Sequence, residues 1–146
     1  MKFSVLPIAA LAVIGLLGCG SSGDDRLHLP VIPVKGKLLV DGKPYGPCVV
    51  YLAALNPDPD PKKSVPTVTG HVKSDGSFEL TTYHLGDGVP VGTYHVTLGA
   101  DISNVMNQVP ACKPLDVEIR DADKDAKEFE IKLEATGETQ TGPPVG

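Results

Sequence analysis

The chain has no tryptophan, and only 5% of its 146 residues are aromatic. Its only arginines are Arg26 and Arg120. Lys and Arg number 13 against 18 Asp and Glu, a formal net charge of −5. That balance excludes the clustered cationic footprint of a nucleic-acid-binding surface. The longest apolar run, Val5 to Leu17, has 13 residues, short of the roughly 20 that a spanning helix needs. The body shows neither a clear helical stripe nor an internal repeat of roughly 20–50 residues. Glycine (16) and proline (14) are plentiful instead, which favours turns over long helices. With 41% hydrophobic and 21% charged residues, the chain can form one domain with a small core.

The N-terminal run is informative in how it stops. Lys2 gives a short basic start, the apolar run follows, and "GLLGCGSSGDD" turns at once into small and polar residues. The length of the run suits a secretory signal. Gly18 is small, as a peptidase requires before its cut, and the Cys19 thiol is a nucleophile that can take a diacylglyceryl group. Leu16-Leu17-Gly18-Cys19 resembles the lipobox of bacterial lipoproteins. The resemblance implies cleavage before Cys19, acyl chains on the new N-terminus, and a flexible tether over 19–33. The alternative is an ordinary signal peptide with an incidental cysteine. Loss of residues 1–18 removes Lys2, so the mature chain is more acidic still.

The body alternates with a period of two. Val34, Gly36, Leu38 and Val40 are followed by the tight-turn pair Asp41-Gly42. Cys48, Val50 and Leu52 alternate with the also largely apolar Val49, Tyr51 and Ala53, which suits a central strand. "NPDPDPKKSVP", residues 56–66, is too proline-rich for a helix or an inner strand and reads as an exposed loop. Val68, Gly70 and Val72 lead to a second turn, Asp75-Gly76, and then to Phe78, Leu80 and Thr82. A loop at 84–92 precedes Tyr94, Val96 and Leu98. Residues 99–114 read as irregular. Leu115, Val117 and Ile119, then Phe129, Ile131 and Leu133, complete seven short strands, the pattern of an all-β antiparallel sandwich. The polar, turn-rich residues 136–146 read as a disordered tail, leaving 34–135 as the domain.

Four pieces in order carry a second resemblance: Val34-Gly36, Asp41-Gly42-Pro44, Asp75-Gly76-Phe78 and Pro90-Gly92-Tyr94-Val96. They resemble the bacterial carboxypeptidase regulatory-like modules, which are transthyretin-like or Cna-B-like sandwiches. With the lipobox, and with "TTYHLGDGVPVGTYHV" at 81–96, the whole is similar to small lipoproteins of planctomycetes. The resemblance implies a single seven-stranded prealbumin-like or Ig-like sandwich behind a lipoprotein signal. The chain departs from the pattern at Cys48, where such modules usually carry a small residue. The family label names an accessory domain, so peptidase activity is not implied.

The chemistry-bearing residues admit competing readings. With Cys19 lipidated, an exported protein retains Cys48 and Cys112, and one bridge between them stands against two separate thiols. His71, His84 and His95 raise a metal site, but their spacing matches no ligand motif. Asp121, Asp123 and Asp125 begin a calcium-loop pattern, which fails at Ala126 and Lys132. Gly86-Asp87-Gly88 lacks the phosphate-loop signature. It reads as a tight connection in which the glycines allow positive φ and Asp87 bonds its own loop. Transthyretin-like hydroxyisourate hydrolases use a His and Arg cluster and a C-terminal tetrapeptide that "GPPVG" does not match. No nucleophile–base pair stands out.

The expectation is therefore a non-catalytic protein without a cofactor. It is held on a membrane of the cell envelope, periplasmic or surface-facing, and meets envelope proteins or glycans. The two proline- and glycine-rich loops, with Asn56, Asp58, Asp60 and Asp87, are the expected contact surface. A small-ligand or metal-binding lipoprotein using the three histidines is the alternative, and a transthyretin-like hydrolase stands behind it.

Overall fold

A computed structural model describes residues 26, 28–102, 108–125 and 129–140. After the two-residue β1 (Val31–Ile32), the alternation builds β2 (Lys35–Val40), which turns Gly36, Leu38 and Val40 inward. Asp41 and Gly42 both take positive φ, 51° and 78°. This primed geometry suits the right-handed twist of a hairpin and leads into β3 (Lys43–Pro44). β4 (Cys48–Ala54) buries Cys48, Val49, Val50 and Leu52. It is central, as its two apolar faces predict, with β5 (Val68–Val72) on one side and β8 (Gly92–Gly99) on the other.

β6 (Ser77–Thr81) meets both halves of the sheet. Ser77 to Glu79 register with β2, whereas Leu80 and Thr81 register with β5. The continuous order is β10 (Leu115–Ile119), β8, β4, β5, β6, β2, β11 (Phe129–Leu133), with β3 added on β2. The sheet is one curled, mostly antiparallel surface around a core that includes Leu38, Leu52, Leu80, Tyr94, Ile119 and Ile131.

All seven segments picked out by alternation are strands of this sheet, but the architecture differs from a wholly antiparallel set of seven. β3 makes the sheet eight-stranded, and β11 pairs β2 in parallel. The connection explains the parallel pair. β10 ends at the same end of the sheet where β2 begins, and a 3-10 turn, Asp121–Asp125, leads on toward β11 there. The chain therefore starts β11 beside the start of β2 and must run with it.

Two further ladders lie where the sequence predicts none. β1, inside the expected tether, pairs β7 (Val89–Pro90). β9 (Val109–Cys112), inside the expected irregular segment, pairs β12 (Ala135–Gln140), which begins the expected tail. The β9–β12 ladder is pinned at its base. Lys113 donates its N–H to the Glu134 carbonyl (2.8 Å), and Ala135 donates to Asp41 Oδ1 (3.0 Å). Residues 141–146 lie outside the described residues.

Candidate functional site

Strand directions gather the two expected contact loops at one end. β4 and β6 run into them, and β5 and β8 run out. The first described residues lie at this end too, because β1 pairs β7.

Asp87 organises the second loop. Its Oδ1 accepts the Thr82 N–H (2.8 Å), and its Oδ2 accepts those of Tyr83 (3.0 Å) and His84 (2.9 Å). Burial pushes this carboxyl up. The N–H donors of Thr82, His84 and Tyr83, with the His84 charge nearby, outweigh burial and hold it below its ordinary value. Thr82 Oγ1 donates to the Gly88 carbonyl (2.6 Å), and Gly86 donates its N–H to Thr81 Oγ1 (2.9 Å). Gly86 and Gly88 have positive φ, 71° and 110°. At Gly88 a Cβ would lie 1.9 Å from the Ile32 carbonyl oxygen, so this backbone contact with β1 requires glycine.

The proline-rich loop is organised the same way. Asp58 Oδ1 accepts the Asp60 N–H (2.8 Å), and Asp60 Oδ1 accepts the Lys62 N–H (3.0 Å). These are Asx-type turns between prolines. Asp58, Asp60 and Asp87, expected as contact residues, thus each direct carboxylate oxygens at their own loop. Asn56 is exposed beside them.

The N-terminal segment completes the site. The His28 ring stacks on Tyr83 with centroids 4.4 Å apart, and the Leu29 N–H donates to the Tyr83 hydroxyl (3.1 Å). A groove of about 740 Å³ opens between the three segments, lined among others by Arg26, His28, Asp58, Ser64, Tyr83 and His84. It offers a guanidinium, a carboxylate, hydroxyl and aromatic groups at one end of the sheet. Sequence reasoning missed Arg26, His28 and Tyr83. Arg26 and His28 fall in a stretch whose composition reads as a tether, and no local pattern announces a stack between residues so far apart in the chain.

The other candidates are dispersed. His84 lines this groove, while His71 lies in a second one with Lys35, Lys73 and Leu85. His95 places Nδ1 2.8 Å from Asp116 Oδ1 across β8 and β10. The described residues contain no group of three His, Cys, Asp or Glu side chains placed to hold a metal. Asp123 Oδ2 accepts the Arg120 N–H (2.7 Å), and Lys124 reaches Asp121 (3.1 Å), so the acidic run makes the 3-10 turn.

Cys48 and Cys112 are free thiols in this structure, and they belong to the opposite end. Cys48 is buried in the core, and Cys112 packs against that core. Burial, followed by the charges of Cys112 and Asp101, pushes the Cys48 thiol up to about 12. Burial and Asp41 raise Cys112. The lipobox residues Leu16, Leu17 and Gly18, and Cys19 itself, lie outside the described residues.

Tyr94, from the Pro-x-Gly-x-Tyr piece, is buried, and its hydroxyl donates to the Pro90 carbonyl (2.7 Å). Burial, with Tyr83 nearby, pushes its pKa up to about 12. No family model, curated protein or solved structure matches the chain.

Proposed function

We propose that this chain is a non-catalytic lipoprotein of the bacterial cell envelope, anchored through acylated Cys19, which binds an envelope protein or glycan. The Leu16-Leu17-Gly18-Cys19 lipobox supports the anchor. One observation carries the binding reading: both expected contact loops and the N-terminal segment converge on one groove, on a frame whose own carboxylates hold it in shape. Arg26, Ser64 and His84 give it hydrogen-bonding groups, and Tyr83 gives it an aromatic ring, a mixture suited to a polar partner.

We infer further that the curled sheet is a sandwich of the carboxypeptidase regulatory-like, transthyretin-like kind. Each of the four motif pieces has a structural task. Gly36 lets β11 and the Phe78 ring close on β2; a Cβ there would meet the Phe129 carbonyl oxygen at 2.1 Å. Asp41-Gly42 makes the hairpin turn. Asp75 Oδ1 accepts from the Ser77 N–H (3.0 Å) and hydroxyl (2.6 Å) at the second turn. Tyr94 ties β8 to β7.

Photocrosslinking in the native cells tests the binding reading, with the crosslinker introduced at Ser64 or His84. A discrete adduct that is lost on Tyr83→Ala, with the fold intact by circular dichroism, is expected. Adducts as abundant from Lys43 at the far end would contradict it.

A further inference from the structure

We propose that the loop-bearing end of the domain lies against the bilayer, with Leu55, Leu85 and Val91 as its lipid-facing side chains. The proposal rests on the Cys19 anchor of the preceding reading and specifies how the domain sits on it. The composition of 19–33 suggests a tether, but the structure shortens it. β1 is paired, the His28 ring is stacked on Tyr83, and Leu29 is hydrogen-bonded to the same residue. Cys19 and His28 are nine residues apart, a separation that covers only about 30 Å when fully extended. His28 is held at the loop-bearing end. An anchored domain therefore keeps that end within about 30 Å of the lipid, whereas the far end, with its Asp41-Gly42 and Asp75-Gly76 turns, is under no such restraint.

The exposed apolar side chains follow the same polarity. Among the described residues the large exposed hydrophobics are Leu55 (44%), Leu85 (92%), Val91 (56%) and Ile102 (86%). The first three sit on the connections leaving β4 and β6 and entering β8, and Leu55 donates its N–H to the Thr93 carbonyl beside Val91. Ile102 alone belongs to the far end. Three of the four thus stand at the end that the anchor tethers to the lipid, Leu85 in the groove with Lys35 and Lys73, and Val91 in another groove beside Asn56. Two ion pairs also lie at this end: Lys63 is 3.9 Å from Asp60, and Lys124 is 3.1 Å from Asp121. The lipid contact is assigned to the three apolar side chains, and it confines the groove's partner to the membrane-proximal layer.

The absence of tryptophan supplies the test. Leu55→Trp, Leu85→Trp and Ile102→Trp each place a single indole at an exposed position. The full-length lipidated protein is purified from membranes and reconstituted into phosphatidylcholine vesicles with and without brominated phosphatidylcholine. Flotation of the vesicles is measured first. The proposal expects the protein to float, the Leu55→Trp and Leu85→Trp emissions to be blue-shifted and quenched by bromolipid, and Ile102→Trp to stay unquenched. Flotation without quenching at 55 and 85 overturns the orientation while the anchor stands. Blue-shifted but unquenched emission means that protein covers the patch, and it also overturns the proposal. Failure to float, with no difference from Cys19→Ser, overturns the anchor and the orientation with it.

Discussion

Asp87 shows how much of the loop cluster depends on one carboxylate. Asp87→Ala leaves the N–H groups of Thr82, Tyr83 and His84 without their acceptor. The expected loss is about 1–3 kcal/mol, the cost of stranding partly buried donors, measured by urea unfolding. The same carboxylate gives the protein an acid limit. Its folded pKa lies below the ordinary value of about 3.9, so its contribution is fully present above that value. It is lost as pH falls through the lower folded value. Midpoints of thermal unfolding should fall more steeply below about pH 4 in the wild type than in Asp87→Asn. At the other end, the more exposed Cys112 should react with iodoacetamide before Cys48, whose thiol is pushed up to about 12. Peptide mapping after timed alkylation reads the order. Alkylation of neither thiol without reductant would instead support the bridge. Asp87, Gly86 and Gly88 were legible in the sequence, because turn chemistry is local. Asp58 and Asp60 were located correctly, but the use of their carboxylates within the loop emerges only once the loop is folded.

At the scale of elements, alternation found every strand of the main sheet except the two-residue β3, because a half-buried strand repeats its face every second residue. The β1–β7 and β9–β12 ladders were missed for physical reasons. β1 and β7 have two residues each, too few to show a period, and β12, ATGETQ, has no alternating apolar residues to show one. The parallel β2–β11 pair was not legible either, since alternation carries no information on direction. β1 gives a direct test. Gly88→Ala would put a Cβ against the Ile32 carbonyl at a φ of 110°. Amide exchange at Val31 and Ile32 should speed up markedly while that of β4 and β8 stays slow. Uniform loss of protection would mean that the N-terminal segment is part of the global unfolding unit rather than a separable strap. Tyr94→Phe tests the neighbouring tie; it removes one buried hydrogen bond and should cost about 1 kcal/mol.

For the molecule as a whole, the curled sheet has two unlike ends. One carries the N-terminal segment, the two loops, the groove and three exposed apolar side chains. The other carries tight turns, the cysteines and the β9–β12 ladder. The attachment through Cys19 proposed above would give this polarity its purpose. The most direct measurement is mass spectrometry of the N-terminal peptide from membrane-extracted protein. The expected peptide begins at Cys19, carries a diacylglyceryl thioether, and is absent from the Cys19→Ser variant. A mature N-terminus at another residue, or an unmodified Cys19 thiol, would contradict it.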